Sequence, residues 1–209
     1  MVSLPTEEQF PYENLDRLSR VKMRPRGMSA FYQISDFVYH AAKGSNPISM
    51  DIAMALDPVA PKTIGIFTGA CSPEHYPNGE NDGPLGTVVL ANALFKLGHT
   101  VKIFADPPVQ PVLQALMEYY GQSYPIILLD IESEKKNLES SAGLNAAIAV
   151  EKSGVNPVGH LHSITGTTRD GTRAKVEPIF NSVKENGGVT ISCADGHNEV
   201  GFGNVYDAV

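Results

Sequence analysis

Apolar and polar positions follow two different periods along this chain, and together they predict an α/β fold. After residue 60, continuous apolar runs of about five or six residues are typical of buried strands. Between them lie longer segments with apolar residues three or four positions apart, which favour helices. Strands are predicted at 63–68, 100–105, 125–129, 146–150 and 189–193. Their alternation with helices indicates right-handed crossovers and a mainly parallel, Rossmann-like sheet flanked by helices.

The helical periods place the remaining elements. Helices are predicted at 86–97, 109–120 and 177–185, whereas the polar stretch 132–141 is predicted to be a loop. Before the first strand, helical spacing appears at 14–18, 28–42 and 48–56. We therefore expect two parts, a helical lead-in over residues 1–60 that packs on the rest, and an α/β domain over residues 61–209.

Composition narrows the class of partner. The net charge of −7 over 209 residues argues against a nucleic acid or an anionic membrane as the main partner. The N-terminus has neither a signal-peptide apolar core nor the acid-poor character of a transit peptide, and no apolar run is long enough to span a bilayer. Two cysteines do not form a disulfide framework, which favours a reducing compartment. We expect a cytoplasmic protein that acts on a small molecule, with a homo-oligomer left open.

A Gly/Pro-rich loop over residues 69–86 is the first candidate site. It joins a predicted strand to a predicted helix, so it lies where ligands bind in open α/β sheets, and it carries Glu80 and Asp82. Loops of this length inside a domain are more often functional than not. The backbone N–H groups from Gly83 to Gly86 can hold a carboxylate or phosphate at the helix start. The alternative is an ordinary helix start with Asp82 as its cap.

A second dense segment follows the last predicted strand. It contains Asp195, Gly196, Asn198 and Glu199. Gly196 permits close backbone approach, and Asn198 can both donate and accept hydrogen bonds. Parallel strands bring both segments to one edge of the sheet, where crowded carboxylates either bind a cation or become acid–base groups with raised pKa values. Carboxylates at strand ends are also common caps and turn residues, so each position taken alone has a structural alternative.

Other candidates are weaker. Three predicted strands before the last also end in acidic residues, Asp106, Asp130 and Glu151. His160 and His162 have the spacing of a metal-binding pair on a strand, although two exposed loop histidines are the simpler interpretation. The chain lacks the glycine fingerprint of dinucleotide-binding proteins and the phosphate-binding lysine motif, so a nucleotide is permitted by the fold but not supported by a motif.

Both Gly/acid segments resemble motifs of the D-glutamate cyclase family. The matching stretches run from Glu80 to Gly86 and from Ala194 to Gly203, and Arg26-Gly27 in the lead-in is also similar. The chain departs from the family where Glu151-Lys152 replaces a Glu-Arg pair and Ile164-Thr165-Gly166 replaces Met-Arg-Gly. Family members usually continue into a further strand, so the resemblance implies a C-terminally truncated α/β domain.

The resemblance implies a lyase that converts D-glutamate, a small acidic amino acid, into 5-oxo-D-proline and water. In this interpretation Asp82 accepts the ammonium proton and Glu199 donates to the leaving oxygen, while Glu80 and Asp195 support them or bind a divalent metal ion. Lys152 or the helix start would hold the α-carboxylate. The alternatives are a catalytically impaired small-molecule-binding module and a nucleotide-dependent Rossmann enzyme. The resemblance also leaves a mitochondrial location open.

Overall fold

The structure, a computed structural model, describes residues 5–21, 29–69 and 71–208. Arg26 and Gly27, which contribute to the family resemblance, lie outside the described residues. The chain divides into two compact units, residues 1–57 with 204–209 and residues 58–203, as far as these ranges are described. In the described part of the chain, no helix is both long and apolar enough to cross a membrane.

A parallel sheet forms the centre of the larger unit and confirms the predicted α/β class. Its described strands are β1 (Thr63–Thr68), β2 (Thr100–Ala105), β3 (Ile126–Leu128), β4 (Ala146–Val150) and β5 (Val189–Cys193). Their order in the sheet is β3-β2-β1-β4-β5, with every neighbouring pair parallel. The strand order reverses at β1, whose neighbours are β2 and β4. Ligands of doubly wound sheets bind outside the carboxyl ends of the strands at such a point.

Helices precede, separate and flank the strands. The described helices are α1 (Phe10–Ser19), α2 (Ser29–Ala42), α3 (Ile48–Ala55), α4 (Asp82–Lys96), α5 (Gln110–Tyr119), α6 (Glu134–Ser140) and α7 (Glu177–Glu185). Short 3₁₀ turns occupy Pro107–Val109 and Phe202–Ala208. Strands β1 and β4 are almost wholly buried, as expected for a parallel sheet covered on both faces. Phe67 of β1 stacks on Phe104 of β2 with ring centroids 4.6 Å apart, and Phe180 of α7 packs edge-on against Phe67.

The two largest departures from the predicted elements concern helices. Smaller ones include β3, which is shorter than the predicted 125–129, and α1, which extends beyond the predicted 14–18. Helix α4 begins at Asp82, four residues before the predicted start, because Pro84 falls in the first turn, where a missing N–H costs nothing. The stretch predicted as a loop contains α6, which Ser133 caps by accepting a hydrogen bond from the Lys136 backbone N–H at 3.4 Å. Most of the surface of α6 faces solvent, so its sequence is charged and lacks the apolar periodicity from which the other helices were predicted.

One buried carboxylate holds the helices of the smaller unit together. Asp16 of α1 accepts hydrogen bonds from the Tyr39 hydroxyl at 2.7 Å and from the backbone N–H groups of Ile48 and Ser49 at 2.7 and 3.0 Å. It therefore supplies the capping acceptor at the start of α3 from another helix. The helical lead-in predicted from the sequence thus has a defined interior. Its predicted packing on the α/β domain stays a prediction.

Candidate functional site

The start of α4 lies directly against the carboxyl ends of β1 and β4. A Cβ atom added to Gly83 would lie 2.8 Å from the Thr68 hydroxyl oxygen and 3.1 Å from the Glu151 Cβ. A side chain at this position would separate the helix from the sheet, so glycine permits the contact. The sequence Gly83-Pro84 therefore brings the first acidic loop beside the residue that follows β4.

Two further loops pair with each other at the same edge. Ser153, after β4, forms an isolated antiparallel bridge with Glu199, after β5. The Gly154 N–H donates to the Asn198 carbonyl at 3.0 Å, and the Val200 N–H donates to the Lys152 carbonyl at 2.9 Å. These backbone bonds fix the spacing between the residues after β4 and those after β5.

The paired loops gather three carboxylates. Oxygen atoms of Glu151, Asp195 and Glu199 all lie within 4.8 Å of one another. Glu151 has a φ of +49°, a left-handed conformation that is uncommon for a residue with a side chain. Such backbone strain concentrates at functional sites, where it orients a side chain that regular structure would point elsewhere.

The surroundings of Glu151 favour its neutral form. Burial, followed by the negative charges of Glu199, Asp195, Asp82 and Glu80, raises its pKa to about 8. Glu151 is therefore largely protonated at neutral pH.

Glu199 has a different environment. Burial raises its pKa, but its two carboxylate oxygens accept hydrogen bonds from the backbone N–H groups of Gly196 and Asn198, each at 2.9 Å. Hydrogen bonds of this kind favour the anion. The pKa of Glu199 is therefore raised like that of Glu151, but two backbone hydrogen bonds oppose the rise at Glu199.

A cavity of about 140 Å³ opens onto these groups. Its lining residues are Tyr76, Glu80, Glu151, Ser153, Ser163, Ile164, Arg173, Asp195, Gly196, Asn198 and Glu199. A cavity of about 150 Å³ accommodates a molecule the size of benzene, so this one suits a small metabolite. Five of the residues singled out from the two sequence motifs line it, namely Glu80, Asp195, Gly196, Asn198 and Glu199.

Other residues singled out from the sequence lie elsewhere. The described residues that line the cavity do not include Asp82, Gly83, Gly86 or Lys152. Asp82 is exposed at the first position of α4, where its carboxylate accepts a hydrogen bond from the Gly83 N–H at 2.9 Å. Gly86 faces the side chain of Val150. Asp82 therefore acts on the cavity through its charge rather than by lining it.

Lys152 is wholly buried and paired. Its ammonium group donates to Asp106 Oδ2 at 2.6 Å, and Asp106 Oδ1 accepts from the Ala174 N–H at 2.9 Å. Asp106, which follows β2, thereby holds Lys152 and Ala174 in place. These two residues directly follow Glu151 and Arg173 in the chain. This geometry makes Lys152 part of the support beneath the cavity and not a group that faces a ligand.

Arg173 is the charged residue of the cavity lining that sequence reasoning missed. It is 3% exposed and lines the cavity. Its Nε donates to the Cys71 carbonyl at 2.9 Å, and one terminal nitrogen donates to the Ser153 hydroxyl. Neither partner is near Arg173 in sequence, so no local pattern marks it. The only signal was its place in the aperiodic segment between β4 and α7.

The acidic cluster has the chemistry of a site for a hard divalent cation. Carboxylate oxygens bound to one Mg²⁺, Mn²⁺ or Ca²⁺ ion each lie roughly 2.0–2.6 Å from it, so they are no more than about 5 Å apart. The oxygens of Glu151, Asp195 and Glu199 satisfy that limit. A cation would also offset the repulsion that raises the pKa of Glu151.

The fold and the site define a class: a doubly wound α/β domain with an acidic, small-molecule-sized cavity at its topological switch point. A family model described as D-glutamate cyclase-like, C-terminal, matches residues 26–209. The chain therefore belongs to the family of D-glutamate cyclase-like C-terminal domains, as the resemblance indicated. None of the curated proteins searched matches it.

Proposed function

We propose that the protein is an enzyme that cyclises D-glutamate to 5-oxo-D-proline with loss of water. The family supports the substrate, since the domain is D-glutamate cyclase-like. The observation that carries the chemistry is the pair Glu151 and Glu199. These glutamates share one small cavity in which burial raises the pKa of both, and the carboxylate of Glu199 accepts two backbone hydrogen bonds that favour its anionic form.

The reaction needs a base and an acid. The substrate amine must lose two protons in total as its nitrogen bonds to the γ-carboxyl carbon. One γ-carboxyl oxygen must gain two protons as its bond to carbon breaks and it leaves as water. The net charge of the substrate is conserved, so protons need only be moved between the two ends of the same molecule. Two carboxyl groups with separated pKa values perform that transfer in many active sites.

Glu199 suits the role of base, and Glu151 that of acid. Backbone N–H groups support the anionic form of Glu199, which can accept a proton from the substrate ammonium. Glu199 passes this first proton to the leaving oxygen and then accepts the second proton from the nitrogen. Glu151, which is protonated at neutral pH, donates the other proton that the leaving oxygen needs. A proton then returns from Glu199 to Glu151, whose oxygens lie within 4.8 Å of each other, and both groups regain their starting state. This assignment differs from the expectation that Asp82 is the base and Glu199 the acid, because Asp82 lies outside the cavity lining. Asp195 and Glu80 hold the ammonium group by charge.

A divalent metal ion fits the same carboxylates. Glu151, Asp195 and Glu199 would hold it as anions, and when bound it would supply Lewis-acid polarisation of the γ-carboxylate in place of proton donation by Glu151. Glu80 and the cavity wall would still orient the substrate amine.

A single variant with a matched control tests the proposal. Wild-type protein, Glu199→Gln and Glu185→Gln are incubated with D-glutamate, and 5-oxoproline is quantified by chromatography. Glu185 is an exposed residue at the end of α7, so its substitution removes the same charge at a surface position. We expect wild-type and Glu185→Gln to form product at equal rates and Glu199→Gln to lose roughly 100-fold or more. Unchanged turnover in a folded Glu199→Gln variant would refute the role of the cavity. Binding of D-glutamate without turnover by the wild type would show a binding module instead.

A further inference from the structure

Two basic side chains are buried beneath the acidic edge of the sheet, and they differ in their partners. Lys152 has the carboxylate of Asp106 as a counter-ion at 2.6 Å. Arg173 is also buried, but within the described residues no carboxylate oxygen lies within 4.0 Å of its nitrogens. Its hydrogen-bond partners are all neutral: the Cys71 carbonyl, the Ser153 hydroxyl and the Tyr76 hydroxyl at 3.5 Å.

Asp106 and Glu80 interact with the charge of Arg173 from a longer distance, but neither carboxylate pairs with it directly. A buried cation without a directly paired carboxylate is costly to fold around. Removing a guanidinium from water is unfavourable unless a charge or a full set of hydrogen bonds replaces the water. Arg173 has five N–H donors, and its described contacts engage three of them. Because the residue lines the cavity, its remaining donors can be met by a molecule that enters there.

We infer that Arg173, with Ser153 and Tyr76 beside it, forms a carboxylate-binding subsite that determines which ligands the cavity accepts. A guanidinium matches a carboxylate through two parallel N–H···O bonds, which a single ammonium cannot make. The cavity therefore has a cationic part at Arg173 and a part rich in carboxyl groups at Glu151, Asp195 and Glu199. That arrangement suits a zwitterion with separated charges, such as an α-amino acid.

The identity of the bound group rests on the proposed function. If the substrate is D-glutamate, the subsite takes its α-carboxylate, because the γ-carboxyl must face the acid and the amine must face the base. The inference that a carboxylate binds at this position depends on the surroundings of Arg173 and not on the proposed reaction. In this inference Arg173 binds the α-carboxylate, the role expected for Lys152 in the sequence analysis.

The first test changes the ligand and leaves the protein intact. Isothermal titration calorimetry compares 5-oxo-D-proline with 2-pyrrolidinone, the same lactam without its carboxylate, and adds glutarate as a dicarboxylate that cannot cyclise. We expect the carboxylate to improve the affinity of the lactam roughly ten- to a hundredfold. Equal affinity of the two lactams, or no binding of either carboxylate probe, would overturn the subsite.

The second test changes the protein. Arg173→Lys keeps the charge but loses the paired donors, and Lys184→Gln removes a charge from the exposed surface of α7 as a control. We expect Arg173→Lys to reduce the ratio of the affinities for 5-oxo-D-proline and 2-pyrrolidinone about tenfold, and Lys184→Gln to leave that ratio unchanged. An unchanged affinity ratio in a folded Arg173→Lys variant would overturn the inference. If that variant does not fold, the comparison of ligands on the wild type decides.

The two proposals fail separately. Arg173-dependent binding of glutarate without conversion of D-glutamate would uphold the subsite and refute the proposed reaction. Conversion of D-glutamate with no preference for ligands that carry the carboxylate would do the reverse.

Discussion

Glu151 links the charge of the cavity to its proposed chemistry. Its pKa is raised to about 8 by burial and by four neighbouring carboxylates. If its protonated form donates to the leaving oxygen, turnover falls as the pH rises through about 8 and the acid is lost. Glu151→Gln should reduce turnover roughly 100-fold or more. A pH profile of kcat checks the first statement, and a profile that stays flat to pH 9 would contradict it.

The same pKa predicts a change in stability with pH. The folded-state pKa of Glu151 lies above its ordinary value of 4.5, so the folded protein binds this proton more tightly than the unfolded chain does. Its contribution is fully present below pH 4.5 and is lost as the pH rises through about 8. Urea unfolding at pH 6 and pH 9 should therefore show a smaller loss of stability in Glu151→Gln than in the wild type. Glu185→Gln serves as the surface control.

Asp82 offers a contrasting prediction at the residue scale. It is exposed and does not line the cavity, but its charge is among those that raise the pKa of Glu151. Asp82→Asn should change maximal turnover by less than about threefold and move the alkaline limb of the pH profile to lower pH. Loss of turnover at every pH in a folded variant would restore Asp82 as the base.

The sequence motifs located part of the cavity. Glu80, Asp195, Gly196, Asn198 and Glu199 were predictable because both segments follow strands of a parallel sheet, whose carboxyl ends share one edge. Arg173 was not, because its position depends on contacts with Cys71 and Ser153, 102 and 20 residues away. Such contacts leave no periodic trace in the chain.

At the scale of elements, the paired loops after β4 and β5 set the spacing of the carboxylates. A Cβ at Gly154 would lie 2.7 Å from both the Glu199 carbonyl oxygen and the Val200 nitrogen. Because backbone atoms cannot yield as a flexible side chain does, Gly154→Ala should push the loops apart. We expect a loss of about 1–3 kcal/mol in the free energy of unfolding and a larger relative loss of turnover.

Gly203→Ala is the control, since nothing lies within 4 Å of a Cβ there. Thermal unfolding and the 5-oxoproline assay measure both effects. A Gly154→Ala variant that behaves like Gly203→Ala would show that the loop pairing does not position the carboxylates.

The elements themselves were largely predictable. Four of the five strands have the predicted bounds. In β1 and β4 the reason is burial, because a parallel strand covered on both faces demands continuous apolar sequence. The order of the strands was not predictable from periodicity. The two largest errors arose where tertiary contacts or surface exposure outweighed local pattern, at the start of α4 and over α6.

At the scale of the whole molecule, a net charge of −7 accompanies a concentrated acidic site. A divalent cation that binds the folded protein and not the unfolded chain stabilises it in proportion to the logarithm of its concentration. Mn²⁺ or Mg²⁺ at about 100 times its dissociation constant should add about 2.7 kcal/mol to the stability of the wild type. Glu199→Gln should show less of this gain, and Glu185→Gln should show all of it. An equal thermal shift in all three proteins would place the cation elsewhere.

Chiral chromatography of racemic glutamate incubated with the wild-type protein shows whether the cavity catalyses the cyclisation of D-glutamate. Both glutamate enantiomers and 5-oxoproline are quantified in the same samples, with and without added Mn²⁺. We expect D-glutamate to disappear, an equal amount of 5-oxo-D-proline to appear, and L-glutamate to remain. Unchanged D-glutamate under both conditions, with a folded protein that binds it, would contradict the claim that this cavity catalyses the cyclisation.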